Sequence, residues 1–225
     1  MNALLVAHGT RKPAGVALVG QLAQRVSTAL RSPVHVAFVD VVGPTPSEVL
    51  CGLRGPTVVV PAFLARGYHV NTDIPAHVTA SGHRQVTVTD ALGPSPQLAR
   101  VLAYRLAESG WRRGDSVVLA AAGTSDRHAQ SDLRRMATWL SALTSSRVEL
   151  AFAAAGPHVA DVVAELRDRG ARRVVAASYL LSDGLFQDRL GVSGADVVTR
   201  PLGTHDAMVR LIASRFRYAR VQAVA

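Results

Sequence analysis

Apolar residues fall along this chain in two kinds of run. Short, near-continuous and β-branched stretches occur at residues 3–7 (ALLVA), 34–39 (VHVAFV), 57–61 (TVVVP) and 85–89 (QVTVT). Such stretches have the make-up of parallel strands covered on both faces. Between the first two, residues 14–30 repeat their apolar positions at helical spacing, which predicts a helix. Strand, helix, strand is the unit of an α/β fold.

The pattern then restarts. SVVLAAAGTSD, residues 116–126, echoes NALLVAHGTRK at 2–12, and RVELAFAAAGP, 147–157, echoes PVHVAFVDVVGP at 33–44. Gly9 and Thr10 pair with Gly123 and Thr124, and Phe38 with Phe152, each 114 residues apart. Further on, VVVPAFLARGYH matches VVAASYLLSDGLF, and DALGPSP matches RPLGTHD. The expected architecture is therefore two tandem α/β domains related by internal duplication. Each is a mostly parallel four-stranded sheet flanked by helices. The join falls near residues 108–116, dividing the chain into 1–112 and 113–225.

At 225 residues and 48% hydrophobic, the chain is long enough for two small cores. No apolar run reaches the ~20 residues of a membrane span, and the start lacks the pattern of a signal peptide, so a cytoplasmic protein is expected. A single cysteine, Cys51, excludes an internal disulfide and a Cys-based zinc cluster. The net charge of +9 comes almost entirely from arginine, Lys12 being the only lysine. A basic surface attracts polyanions, but no basic run is interleaved with aromatics, and only 5% of residues are aromatic. Nucleic acid is therefore not the expected partner. A small, highly carboxylated ligand fits equally well.

The repeat supplies a control for chemistry, because the second copy keeps what the scaffold needs. His8 aligns with Ala122, Asp40 with Ala154, and His69 with Phe186 once the loops are matched on Gly67 and Gly184. Three polar residues thus become apolar while their neighbours persist. Each follows the end of a predicted strand, and those ends share one edge of a parallel sheet, where ligands bind. His8, Asp40 and His69 are expected to converge there, leaving the second site degenerate. Singly, each has an ordinary structural role open to it, such as a capping Asp40. Two imidazoles and a carboxylate suit Fe²⁺, Co²⁺, Ni²⁺ or Zn²⁺ with coordination positions left open. No nucleophile elbow or Walker-type phosphate loop accompanies them. Asp73 reads as the cap of a helix starting at Ile74-Pro75. His77 and His83 read as structural, and the tail at 214–225 as an amphipathic helix docking on the sheet.

LLVAHGTRKPAG, VAFVD and PAFLARGYHVNTDIP together resemble the CbiX/SirB family of sirohydrochlorin chelatases in its long, two-domain form. That resemblance implies insertion of Fe²⁺, the preferred reading, or Co²⁺ into sirohydrochlorin, an octacarboxylate tetrapyrrole, for siroheme or cobalamin synthesis. The metal is a substrate, and no permanently bound cofactor is implied. His8 and His69 take the places of the family's active-site histidines. Asp40 stands where Glu is usual, and Thr10 where Ser is usual. Arg11, Lys12, Arg66 and Thr10 are candidate substrate contacts, solvated surface charge being the alternative for the cations. A monomer with an internal pseudo-dimer is expected. A metal or tetrapyrrole carrier without turnover, and a ferrochelatase using another porphyrin, are the alternatives.

Overall fold

The apolar runs become strands in the computed structural model, which describes residues 1–222. Strands β1 (Asn2–Ala7), β2 (Val34–Phe38), β3 (Thr57–Pro61) and β4 (Val86–Val88) pair in parallel in the order β2-β1-β3-β4. Strands β5 (Ser116–Ala121), β6 (Val148–Phe152), β7 (Val174–Tyr179) and β8 (Val197–Val198) form a second sheet in the order β6-β5-β7-β8, also parallel. Ala3 lies opposite Val34 and Val117 opposite Val148, a spacing of 31 residues in each copy. The duplication read from the sequence is therefore preserved to the register. All of β3 and β7 is buried, as strands covered on both faces require.

Helix α1 (Pro13–Leu30) starts on a proline that needs no N–H partner there and buries the stripe Val19, Leu22, Ala23 and Val26. Helix α2 (Pro46–Gly52) opens on a capping box, in which the Thr45 hydroxyl and the Glu48 carboxylate each take up the other's backbone N–H. The N–H of Thr45 is the main reason the exposed Glu48 carboxyl sits below its ordinary pKa. Helix α3 spans Ile74–Ala80, α4 Pro96–Glu108, α5 Arg127–Thr144, α6 Val159–Asp168, α7 Leu185–Gly191 and α8 Asp206–Gln222. No described helix is long and apolar enough to cross a membrane.

The compact units do not follow the cut at 112/113. One contains Met1–Gly93 and the chain from Thr204 onward; the other is Pro94–Gly203. Helix α4, written with the first copy, packs on α5 and β7, and α8, written with the second, packs on α1 and β3. Buried Met208, Ile212 and Phe216 lie on the docked α8. Arg215 and Arg217 donate to the carbonyls of Ala91 and Ala29, and Arg25 pairs with Asp206 at 2.5 Å. The tail thus docks as its pattern predicts, apart from 223–225, which lie outside the described residues. Apolar periodicity says that a helix has a face to bury. It does not say which sheet will cover that face.

The strand order positions the candidate site. From β1 the chain crosses to β2 on one side, and from β3 it crosses to β4 on the other. Loops leaving β1 and β3 at their carboxyl ends therefore diverge and open a crevice, the place where parallel α/β sheets bind ligands.

Candidate functional site

His8 follows β1 directly and His69 lies in the loop after β3, so the crevice receives both. Their ring centroids are 4.6 Å apart and their planes nearly perpendicular, at 87°. Phe63 lies 5.8 Å from His69 at 30°, and is itself packed on the core formed by Leu4, Val6 and Ile74. That anchors one face of the half-exposed imidazole.

His69 begins a widened, π-helical turn, His69–Asp73, in which the N–H of Ile74 reaches back five residues to the His69 carbonyl. Pro75 accounts for the widening: it has no N–H to donate, and in a regular helix its ring would press on the carbonyl four residues earlier. The turn runs into α3 through the buried Ile74. Residues four apart meet on one helical face. Here the Asp73 carboxylate accepts from His69 Nδ1 at 2.5 Å. Asp73 is not a helix cap, contrary to the sequence expectation. Its backbone is already helical, at φ −68° and ψ −46°, and its side chain makes no capping bond.

The hydrogen bonds fix the tautomers. A carbonyl can only accept, so His8 Nδ1 carries the proton that reaches the Gly9 oxygen at 3.0 Å, and His69 Nδ1 carries the one shared with Asp73. In its neutral form each imidazole is then left with an Nε2 lone pair. Two such nitrogens, side by side in a crevice, can take up a proton or a metal ion.

Asp40 does not join them as a third donor. Among the described residues, no group of three or more His, Cys, Asp or Glu is placed to hold a metal ion. Pairing continues past the strand ends, Val39 donating to the Ala7 carbonyl and Asp40 to that of His8. The strand register itself ends at Ala7 opposite Phe38, and Val39 and Asp40 lie in a bend. The exposed Asp40 carboxylate instead accepts its neighbour's N–H, from Val41, at 2.7 Å.

The second copy separates scaffold from chemistry. Ala153 and Ala154 donate to Ala121 and Ala122 as Val39 and Asp40 do to Ala7 and His8. The Thr10 hydroxyl accepts the Lys12 N–H at 3.2 Å, and Thr124 accepts that of Asp126 at 3.1 Å. Thr10 therefore closes its loop in the way its counterpart does where no histidine is present. The cations behave otherwise. Arg11, Lys12 and Arg66, all exposed, correspond to Ser125, Asp126 and Asp183.

Lys12 also stands where a helix cap belongs. Asp126 caps α5 by accepting from His128 and Ala129, whereas Lys12 supplies no side-chain cap to α1 and puts a positive charge at the positive end of the helix. Lys12→Asp should stabilise the protein by about 1 kcal/mol, raising the melting temperature by roughly 2–4 °C. An unchanged or lower melting temperature would show that the cap of the second copy does not transfer.

The sequence pattern does not point to Asp73 as a partner of His69, yet the same control extends to it. Counting on from Gly67 and Gly184, Asp73 falls on Leu190, which is buried. Four polar positions, not three, turn apolar together. Two further histidines of this half have structural partners: His77 bonds Ser47, and His83 bonds Thr57 and the N–H of Gln85.

The CbiX family model matches residues 2–109 and again residues 116–219. A sirohydrochlorin cobaltochelatase of Methanothermobacter thermautotrophicus is 28% identical over 130 residues, 47% of this chain and 90% of that protein. Among solved structures, SirB from Bacillus subtilis with Fe³⁺ superposes with a TM-score of 0.83 at 21% identity, covering 96% of this chain and 95% of the other. SirB from B. subtilis subspecies spizizenii in complex with cobalt gives 0.81 at 18% identity over 96% and 94%. CbiX, described as the terminal enzyme for siroheme biosynthesis in denitrifying bacteria, gives 0.76 at 21% over 97% and 99%. These structures share the fold of the whole chain.

Proposed function

The chain belongs to the CbiX family, and from that premise we propose that it is a sirohydrochlorin chelatase, inserting Fe²⁺ or Co²⁺ into the macrocycle. The observation that carries this reading is the pair of edge-to-face imidazoles, 4.6 Å apart, each with its Nδ1 engaged. Insertion replaces two pyrrole N–H protons by one divalent metal, so charge balances without a redox partner or resident cofactor. The reaction asks the protein for a proton acceptor and a metal donor close together.

The two histidines divide these roles by their partners. Asp73 stabilises a positive charge on His69, which makes His69 the proton acceptor; it passes each pyrrole proton on to water before taking the next. His8, backed only by a neutral carbonyl, keeps its Nε2 lone pair for the incoming metal. Arg11, Lys12 and Arg66 pair with peripheral carboxylates of the substrate. Imidazole donors serve iron and cobalt alike, and Fe²⁺ is proposed first.

The test is anaerobic mixing of the protein with sirohydrochlorin and either metal, followed by absorbance against a protein-free control. Insertion above the spontaneous rate supports the enzyme. Tight binding with no acceleration overturns it in favour of a carrier, and faster insertion into protoporphyrin makes it a ferrochelatase of another porphyrin. Within this reading, Asp73→Asn should lower the insertion rate by about 10- to 100-fold while sirohydrochlorin affinity changes little. A variant as fast as the parent would leave Asp73 with a purely structural role.

A further inference from the structure

Tyr68 immediately precedes His69 and leaves 63% of its surface in solvent. Its ring centroid is 6.0 Å from that of His69, with the planes at 78°. The lone pair of an imidazole lies in the plane of its ring. For His69 to aim Nε2 at the centre of a flat macrocycle, its ring must stand upright on the macrocycle. A ring nearly perpendicular to His69 can then lie parallel to the macrocycle, and one nearly parallel to His69 cannot. Tyr68 meets the first condition. Phe63, tilted by only 30°, meets the second and is committed to the core.

From this geometry, and resting on the chelatase reading above, we infer that Tyr68 is a macrocycle-contact residue: its exposed ring stacks on the conjugated face of the tetrapyrrole while His69 addresses the ring centre. The backbone of Tyr68 is fixed by helical angles, φ −49° and ψ −48°, at the entrance to the π-helical turn. The stacking ring and the imidazole thus sit on consecutive residues at the start of one helical turn. Arg66, exposed two residues earlier, lies in the same loop for a carboxylate at the macrocycle rim. In the second copy Leu185 takes the corresponding place, equally exposed at 59%, beside Phe186 in place of the histidine. At this position, the one before the histidine, the aromatic ring belongs only to the copy that carries the imidazole.

Tyr68→Leu installs the residue of the second copy, and Tyr68→Phe keeps the ring. Metal-free sirohydrochlorin is titrated into each full-length variant and followed by quenching of protein fluorescence, with KM and kcat measured alongside. Stacking on an aromatic face contributes on a scale that predicts about a 10-fold weaker Kd and higher KM for Tyr68→Leu, kcat staying within about threefold. Tyr68→Phe should bind within about threefold of the parent, and Co²⁺ affinity without tetrapyrrole should be unchanged in both. Tyr68→Leu binding sirohydrochlorin as tightly as the parent overturns the inference, as does a loss confined to kcat. A parent protein that binds no sirohydrochlorin overturns the chelatase reading and this inference together; a parent that binds and inserts, with an indifferent Tyr68→Leu, overturns this inference alone.

Discussion

His69→Ala and His8→Ala should each lower metal insertion by about 10²-fold or more, the scale on which a positioned base or metal donor contributes. The losses should have different characters. Without His69 the pyrrole protons must leave directly to water, so raising the metal concentration should not restore the rate. Without His8 the metal loses a donor, so the defect should show partly as a higher apparent KM for the metal. Neither change should unfold the protein. His8 is exposed, and the His69 side chain is one-third exposed at a loop edge. Melting temperatures should therefore stay near that of the parent. Asp40→Ala is the internal comparison: its carboxylate already accepts the N–H of its neighbour Val41, so its removal should cost less than either histidine change. Near-normal rates in both folded histidine variants would overturn the site assignment.

Gly9→Ala should cost the most stability of any single methyl added at this end of the sheet, about 3 kcal/mol or more. Gly9 has φ +96°, and a Cβ there would lie 2.1 Å from the Asp40 carbonyl oxygen. That oxygen belongs to backbone held by the bond from the Asp40 N–H to the His8 carbonyl, so it cannot swing aside as a side-chain tip would. The expected fall in melting temperature is roughly 10 °C, with activity lost as well, because His8 is attached to the residue that must move. Gly55→Ala separates strain from collision: φ is +75° there, but the added Cβ meets nothing within 4 Å. Gly123→Ala falls between them, its nearest neighbour being the Ala155 Cβ at 3.1 Å. If Gly9→Ala melted no lower than Gly55→Ala, the close approach of the two strand-end loops would be refuted.

These two experiments read different layers of the same repeat. Gly9 and Gly123, and the hydroxyls of Thr10 and Thr124, persist in both copies because the turn after the first strand needs them. The histidines do not persist. Thr10 is a candidate substrate contact in the sequence, and the structure gives its hydroxyl the same loop bond that Thr124 makes in the second copy. Asp73 was readable from the sequence in principle, through its change to Leu190. Asp before Ile-Pro, however, fits the pattern of a helix cap, and nothing local indicates that Pro75 widens the turn instead.

By itself, the sequence determined the two α/β copies, the parallel strands and the two histidines. Those features rest on local apolar periodicity and on comparing a scaffold with its own duplicate, and both are properties of residue order. Tertiary structure alone decided three further matters. It placed α4 and α8 each on the sheet of the other copy, because an apolar helix face is satisfied by any apolar surface within reach of its loop. It gave the Asp40 carboxylate the N–H of Val41 as a partner, because that bond depends on the bend the chain takes after β2. It brought Asp73 onto His69 Nδ1, because that bond depends on the pitch of a turn that a proline distorts.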